Sequence, residues 1–458
     1  MTNHAEQPAI VRDQSAALPR FLTTRRILIA LLLIALALRL IYALRLDHRA
    51  PYTDFGGDAW WYLDTGYHLI GGEIDHVIPA GPVYLLFTGF WQRIFGQNQP
   101  EAVAAIRTAQ AILSTATIYF AFLLARRLSG DARAGLLAAA LMTVSPVFLL
   151  EQGTITTETL YMALVTGGLA LFLSIVARVR DGRPVRARAL VAAGAIFGLA
   201  TLTRAVFLLY PVALAGFLWW LGRKRVVRHA AILLAVYAGV VLSYTAYNLI
   251  RFNEFIIGAQ GITSFVYMGA RGWSGPEEMD QQLLEDVPEH AEVDPTLEDR
   301  DPALIEGTLR AITGDPLGYA WRRVSELGGA YLQPHGTVLF AGESVKDLAR
   351  RWLTEDRSLD GLIRVVRGDW FGAKLALYLF HYAALILGVA GIWLTRRRWP
   401  LMLPLAGFIA YLTLVHLVLM VTPRYLFPLE PIFIVFAACA LVIGWQRWRA
   451  QRMARNAG

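Results

Sequence analysis

Residues 189–222 read ALVAAGAIFGLATLTRAVFLLYPVALAGFLWWLG, and Arg204 is the only charged side chain among them. An α-helix needs about 20 predominantly apolar residues to cross the hydrocarbon core of a bilayer. The stretch is long enough for two such helices, and its only polar interruption is Thr203-Arg204. It therefore predicts a tight helical hairpin in a membrane.

Apolar stretches of this kind recur along the whole chain. Hydrophobic residues make up 56% of the 458 residues and charged residues 17%, whereas soluble domains have ~45–50% and ~25%. The mean hydropathy is +0.45. This composition excludes a soluble globular domain, intrinsic disorder, collagen and a coiled coil, and the single cysteine excludes an intramolecular disulfide and a cysteine metal cluster. The sequence predicts an all-α polytopic membrane protein with ten membrane helices, at 27–44, 106–125, 134–150, 157–177, 189–203, 205–222, 230–249, 374–395, 401–421 and 427–445.

The basic residues predict the orientation of these helices, because cytoplasmic loops carry an excess of Lys and Arg. Alternate short segments hold 23 Lys and Arg with four acidic residues, and they are 1–26, 125–134, 178–188, 223–229, 396–399 and 446–458. The short segments between them hold five arginines. We therefore expect both termini, the tail 1–26 and the basic tail 446–458, in the cytoplasm. The formal net charge of +8 then reflects membrane topology, and no nucleic-acid partner is expected.

Two predicted outer segments are too long to be simple connections. Segment 45–105 lies within a transmembrane module at 27–250 and contains aromatic-rich amphipathic stretches at 58–70 and 83–95, which favour helices at the membrane interface. Segment 251–373 precedes the C-terminal membrane helices at 374–445. It predicts a small α-rich extracytoplasmic subdomain, with a solvated acidic run at 277–301 and helical stretches at 303–332 and 344–367.

Charged residues near a membrane span are costly and are therefore candidates for function. On the predicted topology, three carboxylates and three arginines meet at the outer membrane boundary: Asp54, Asp58, Glu158, Arg204, Arg251 and Arg424. Arginine binds phosphate through bidentate hydrogen bonds, and a carboxylate accepts a proton from an attacking hydroxyl. The combination points to group transfer from a lipid phosphate.

Several motifs in this order resemble a known family. They are Asp58-x3-Tyr62-x3-Gly66, Pro79-Ala-Gly81-Pro82, Thr157-Glu158-Thr-Leu, Leu202-Thr203-Arg204, Asn248-x2-Arg251-Phe-Asn253 and Pro423-Arg424-Tyr425-x2-Pro428. Together they resemble the GT-C glycosyltransferases, and more closely the family 39 branch of protein O-mannosyltransferases and bacterial aminoarabinose–lipid A transferases. The stretch 270–370 matches no member.

The resemblance implies a GT-C-like bundle that passes a sugar from a polyprenyl-phosphate donor to an extracytoplasmic lipid, glycan or protein, with inversion. Asp58 matches the general base. Many relatives have Asp-Glu where this chain has Asp58-Ala59, so Asp54 is a second candidate, and Glu158 is the third catalytic carboxylate. The residues expected to bind substrate are Tyr62, Arg204, Arg251, His335, Arg424 and Tyr425. No cofactor is expected, and a divalent cation on the three carboxylates is the less favoured alternative.

Plainer interpretations stay open at this stage. Asp58 would also suit a helix N-cap, Arg251 and Arg424 would also suit snorkelling from helix ends, and His335 would also suit an incidental turn. Arg39, inside the first span, is expected to snorkel outward. The alternative functions are a lipid-linked sugar flippase or transporter and a non-catalytic membrane scaffold. For an enzyme of this type, the composition favours a bacterial plasma (inner) membrane, surrounded by membrane lipids and with its active site on the outer face.

Overall fold

The computed structural model describes residues 23–49, 58–272, 276–287, 300–340 and 344–457, and these residues form α-helices and short 3-10 helices without a β-strand. The helices of the N-terminal half are α1 Thr24–Arg45, α2 Asp58–Gly71, α3 Pro82–Phe95, α4 Pro100–Ser129, α5 Ala132–Val144, α6 Pro146–Glu151, α7 Glu158–Arg180, α8 Ala187–Thr203, α9 Tyr210–Gly222 and α10 Val227–Phe252. The middle of the chain contributes α11 Ile262–Arg271, α12 Pro276–Asp286, α13 Arg300–Gly314, α14 Pro316–Leu332, α15 Val345–Thr354 and α16 Leu359–Val366. The C-terminal helices are α17 Phe371–Thr395, α18 Trp399–Val418, α19 Pro423–Leu426 and α20 Glu430–Ala457.

The chain is a multi-pass membrane protein by the length and composition of its helices. Seven described segments are long and apolar enough to cross a membrane: Thr24–Arg45, Pro100–Ser129, Glu158–Arg180, Ala205–Gly222, Val227–Phe252, Phe371–Val418 and Pro423–Asn456. The sixth of these contains both α17 and α18, and α5 and α8 are shorter apolar helices. Each of the ten predicted spans thus falls on helical residues, although the number of ten membrane crossings is not confirmed.

The bundle is built around α7 and α20, which are the most enclosed of the long helices. Helix α20 packs along α17, α5 and α4, while α7 packs against α4 and α8. Helix ends follow ordinary capping chemistry. Asp131 accepts a hydrogen bond from the Arg133 N–H at the start of α5, and Gly130, in the left-handed region at φ 75°, ends α4.

The predicted hairpin turns at the expected residue. Helix α8 ends at Thr203, Arg204 takes an extended conformation with φ −144°, and a 3-10 turn at Ala205–Phe207 leads into α9. The change from helical to extended backbone at Arg204 separates the two helices of the hairpin. The position of Arg204 is therefore set by the turn.

Three predicted elements are corrected by the structure. The span 134–150 is interrupted at Ser145, because Pro146 lacks an N–H and disfavours helical backbone in the residue before it. The stretch 303–332 divides at Asp315-Pro316 for the same reason, and 344–367 divides before the Ser358 N-cap of α16. The part of the acidic run at 288–299 lies outside the described residues.

Arg39 is also placed differently from the prediction. It does not snorkel outward but is fully buried, and its Nε donates to Ser114 Oγ at 2.8 Å while its Nη2 donates to the Met142 carbonyl at 3.1 Å. A guanidinium that finds acceptors on neighbouring helices does not need to reach water. Arg39 therefore ties α1 to α4 and α5.

Candidate active site

Arg424 joins two carboxylates that are far apart in the sequence. Its Nε donates to Glu158 Oε1 at 2.6 Å, and its Nη1 donates to Asp58 Oδ2. Pro423 and the extended Thr422 begin the four-residue helix α19, and this break brings Arg424 to the end of the bundle. A planar guanidinium with five donors is suited to hold two acceptors in a fixed relation.

Glu158 lies at the centre of the cluster. Its carboxylate is fully buried and accepts from two guanidinium groups, from Arg424 and from Arg204 Nη1 at 2.7 Å. The residue begins α7, where the helix dipole favours a negative charge. A buried charge is tolerated only when it is paired and hydrogen-bonded, as it is here.

Arg204 is held by aromatic rings as well as by Glu158. Its guanidinium carbon lies 5.2 Å from the centre of the Tyr425 ring and 5.8 Å from that of Tyr161. The Tyr425 ring also stacks on His416, with ring centres 5.5 Å apart. These contacts hold the guanidinium beside Glu158 in a largely dry pocket, where arginine bonds to anions are strong.

Asp58 differs from Glu158 in its access to solvent. It is the first residue of α2, and 45% of its side chain is exposed, compared with 0% for Glu158. An incoming molecule therefore reaches Asp58 first. Of the two carboxylates in the cluster, Asp58 is thus the solvent-accessible one.

The position of Asp58 depends on how α2 crosses α3. The crossing is very close at Gly66, where an added Cβ would lie 2.6 Å from the Leu85 carbonyl oxygen. Thr88 Oγ1 donates to the Tyr62 carbonyl at 2.8 Å, and the Gln92 side chain donates to the Leu63 carbonyl. The crossing holds α2 against the bundle and aims its N-terminus at Arg424.

Tyr62 lines the same region one turn along α2. Its ring meets that of Tyr84 edge to face at 5.0 Å, and Tyr84 donates to Gln110 Oε1 at 2.8 Å. Burial raises the pKa of Tyr62 to about 12, against the opposing effect of Arg424. Its phenol therefore stays protonated at physiological pH and is available to donate a hydrogen bond.

A second buried pair lies next to the segment that follows α19. His335 Nε2 is 2.6 Å from Glu151 Oε2, and Glu151 Oε1 accepts from Thr156 Oγ1 at 2.8 Å. The His335 ring packs on Phe427, with centres 4.8 Å apart. Because Phe427 follows α19, this pair supports the segment that carries Arg424.

The predicted site residues are thus only partly brought together. Asp58, Tyr62, Glu158, Arg204, Arg424 and Tyr425 form one cluster. His335 belongs to the separate buried pair with Glu151. Arg251 is exposed, with its guanidinium over its neighbour Phe252 at 5.8 Å, and within the described part of the chain no hydrogen bond or ion pair links it to the cluster. Asp54 lies outside the described residues.

Sequence reasoning missed Glu151, Tyr161 and His416. Glu151 follows Pro146 by five residues at the end of a predicted span, and a carboxylate at a span end could have indicated a site residue. Tyr161 and His416 lie within apolar stretches, and nothing in the sequence around them indicated a role in the site. Among the described residues, no three His, Cys, Asp or Glu lie close enough together to hold a metal ion, and metal-independent activity stays a prediction.

Comparison with known proteins agrees with this architecture. Residues 78–249 match the protein family described as dolichyl-phosphate-mannose-protein mannosyltransferase. No curated protein matches the chain.

Solved structures show the fold. The chain is similar to the oligosaccharyltransferase AglB from Archaeoglobus fulgidus in complex with an inhibitory peptide and a dolichol-phosphate, with a TM-score of 0.53, 18% identity and coverage of 95% of this chain and 52% of that chain. The apo form of the A. fulgidus oligosaccharyltransferase gives a TM-score of 0.54, 17% identity and the same coverage. For ArnT from Cupriavidus metallidurans bound to undecaprenyl phosphate, the TM-score is 0.38 and the identity is 14%, and the match covers 90% of this chain and 77% of that chain.

The chain spans about half the length of the oligosaccharyltransferase structures. At this identity the likeness is one of fold, and a fold by itself does not fix an activity. The predicted resemblance to GT-C glycosyltransferases is confirmed, together with the all-helical membrane architecture.

Proposed function

We propose that the protein is a membrane glycosyltransferase that moves a sugar from a polyprenyl-phosphate donor to a hydroxyl of an extracytoplasmic acceptor. The observation that carries the proposal is the Arg424 guanidinium, which bonds at once to the buried Glu158 and to the accessible Asp58. A phosphate-binding cation and a solvent-facing base thus share one cluster. The family match over residues 78–249 supports the same reaction class.

In the proposed reaction, Asp58 is the general base. An acceptor hydroxyl enters at the exposed side, and its oxygen attacks the anomeric carbon while Asp58 takes the proton. The bond between the anomeric carbon and the phosphate oxygen breaks, and the lipid phosphate leaves with the electron pair. A single displacement of this kind inverts the configuration at the anomeric carbon.

Arg204 and Arg424 bind the phosphate in this proposal. Glu158 neutralises one of their two positive charges, which leaves one positive charge that Asp58 balances. When a donor phosphate enters, it replaces Asp58 as the partner of Arg424. Asp58 is then free to accept a proton, and the arginines stabilise the charge that develops on the leaving phosphate.

The proposed orientation places this cluster on the outer face of a bacterial plasma membrane, with both termini in the cytoplasm. Support comes from the path of α17 and α18. Helix α17 runs to the basic turn Arg396–Arg398, and helix α18 returns from this turn toward Arg424. The basic turn and the cluster therefore lie at opposite ends of the bundle, as the excess of cytoplasmic Lys and Arg requires.

The experiment has two stages. Mass spectrometry of envelope lipids and glycans from cells with and without the gene identifies the acceptor and the mass of the transferred sugar. The purified protein in proteoliposomes is then supplied with that acceptor and a radiolabelled polyprenyl-phosphate sugar. We expect wild type to transfer label, and Asp58→Asn to lose transfer by about 10³-fold with normal protein abundance, since general-base catalysis contributes about 10²–10⁴-fold.

The matched control is Asp64→Asn on the same helix. Asp64 is exposed to a similar extent, at 41%, and bonds to Gln97 at 3.3 Å, away from the cluster. This variant should transfer at the wild-type rate. Translocation of intact labelled lipid without sugar transfer would instead identify a flippase, and unchanged envelope glycans in D58N cells would identify a scaffold.

A further inference from the structure

A groove of about 500 Å³ lies between α15 and the N-terminal half of α17. Most of its wall is apolar, including Leu353 from α15 and Leu375 and Leu379 from α17. Two basic residues, Lys346 and Arg350, complete the wall on the α15 side. The groove thus combines a mainly apolar surface with two positive charges at one edge.

The two basic residues stand on the same face of their helix. Lys346 and Arg350 are four positions apart, so their side chains are neighbours along α15. Both are exposed, and among the described residues neither pairs with a carboxylate, whereas Arg364 on the next helix pairs with Asp356. Two adjacent cations of this kind favour an anionic ligand.

The adjoining helix α16 presents an apolar face to its surroundings. Leu359 is 80% exposed and Val366 is 53% exposed, and Trp370 just beyond the helix is 61% exposed. Arg364 and Arg367 lie among them in the sequence. An amphipathic helix with exposed Leu, Val and Trp and nearby arginines is typical of the membrane–water interface.

The groove also lies at the level of the membrane where lipid headgroups are found. Helix α17 runs from the groove to Arg396–Arg398, and its 25 residues span about 37 Å at 1.5 Å per residue. This length is slightly more than the ~30 Å of a hydrocarbon core. The groove is therefore at the membrane boundary opposite the basic turn, on the side of the candidate active site.

We propose that this groove binds one anionic glycerophospholipid from the surrounding leaflet. Its headgroup phosphate lies between Lys346 and Arg350, and an acyl chain follows Leu353, Leu375 and Leu379. A zwitterionic lipid would bring its own cation beside the two basic residues, so charge complementarity favours a net negative headgroup. This site is separate from the cluster around Arg424, and the proposal stands whether or not the chain is a glycosyltransferase.

The test is native mass spectrometry of the purified full chain after mixing with phosphatidylglycerol and phosphatidylcholine of identical acyl chains. We expect wild type to retain phosphatidylglycerol preferentially. The double variant Lys346→Gln/Arg350→Gln should lose this preference by about 30-fold, because each Lys or Arg near a membrane surface contributes about fivefold to the affinity for anionic lipid. A second variant, Ala349→Trp, keeps both charges but fills the groove, and it should lose retention as well.

The matched control is Arg447→Gln/Arg449→Gln, which removes two exposed arginines from the C-terminal end of α20. It should retain phosphatidylglycerol as wild type does. The unfolding temperature of each variant shows whether it is folded. If the double variant is unfolded, A349W alone tests the groove. Equal loss in the control variant, or no headgroup preference in wild type, would overturn the proposal. Displacement of phosphatidylglycerol from the groove by an equimolar polyprenyl phosphate would assign the groove to that lipid instead.

Discussion

Glu158 is a fully buried carboxylate between two guanidinium groups, and it is the residue on which the cluster depends. It pairs with Arg204 at 2.7 Å and with Arg424 at 2.6 Å. Each charge in this group is tolerated in a dry place because the others are present. Removing one partner therefore leaves an uncompensated charge behind.

We expect Glu158→Gln to lower the free energy of unfolding by about 3 kcal/mol, since breaking a buried ion pair on one side costs about 3–5 kcal/mol and the amide keeps part of the hydrogen bonding. Thermal unfolding in detergent measures the change. Glu101→Gln, an exposed residue in the first turn of α4, is the control and should unfold as wild type does. If E158Q unfolds at the same temperature as wild type, Arg204 and Arg424 must pair with other anions in the variant.

Arg424 and Arg251 provide a second comparison at the level of single residues. Arg424→Lys keeps the charge but loses the planar fork that reaches Asp58 and Glu158 together. Transfer by this variant should fall by about tenfold or more in kcat/KM, since a charged hydrogen bond contributes about 1.5–3 kcal/mol. Arg251→Lys should leave kcat/KM unchanged because Arg251 is exposed and, among the described residues, makes no hydrogen bond or ion pair with the cluster. Equal losses in the two variants would place Arg251 in the site after all.

At the level of secondary structure, the crossing of α2 and α3 fixes where Asp58 lies. Gly66 and Gly89 let the two backbones approach, and a Cβ added to Gly89 would overlap the Gly66 carbonyl oxygen. Only glycine allows this approach. The geometry of the cluster therefore depends on residues that never touch a substrate.

Gly89→Ala should push α2 away from α3 and displace Asp58 from Arg424. We expect transfer to fall by about a hundredfold while the bundle stays folded, because a displacement of ~1 Å of a catalytic group has effects of that size. Transfer kinetics and thermal unfolding measure the two effects. Gly216→Ala in α9 is the matched control, since nothing lies within 4 Å of an added Cβ there. Full activity in G89A would show that Asp58 does not depend on the crossing.

At the level of the whole molecule, His335 and Glu151 connect the segment after α10 to the membrane bundle. His335 lies in the 3-10 helix that follows α14, and Glu151 ends α6. Both side chains are buried, at 2% and 1% exposure. Their contact fixes this segment over α19, which carries Arg424.

We expect His335→Ala to destabilise the protein by about 1–3 kcal/mol, because Glu151 would lose a buried partner. A role in positioning also predicts a lower kcat with an unchanged KM for the donor, since His335 is not expected to touch it. Thermal unfolding and transfer kinetics test both statements. His76→Ala, at an exposed position, should change neither. A raised KM for the donor with normal stability would instead support the sequence-based prediction that His335 binds substrate.

The membrane class, the location of the helices and most residues of the cluster could be predicted from the amino-acid sequence. Apolar length is a local property, so the spans could be located from residues 27–44 onward without knowing how they pack. Breaks at Pro146 and Pro316 were equally visible in the sequence, although the prediction overlooked them. Asp58, Glu158, Arg204 and Arg424 stood out because charges at a membrane boundary are rare.

Which of these charged residues pair with each other became clear from the packing of the helices. The pairing of Arg424 with residues 266 and 366 positions earlier depends on how α2, α7 and α19 pack, and packing is not encoded in any one segment. The same reason explains the burial of Arg39 and the pairing of His335 with Glu151. A side chain's partners are supplied by other helices, so its sequence neighbours could not reveal them.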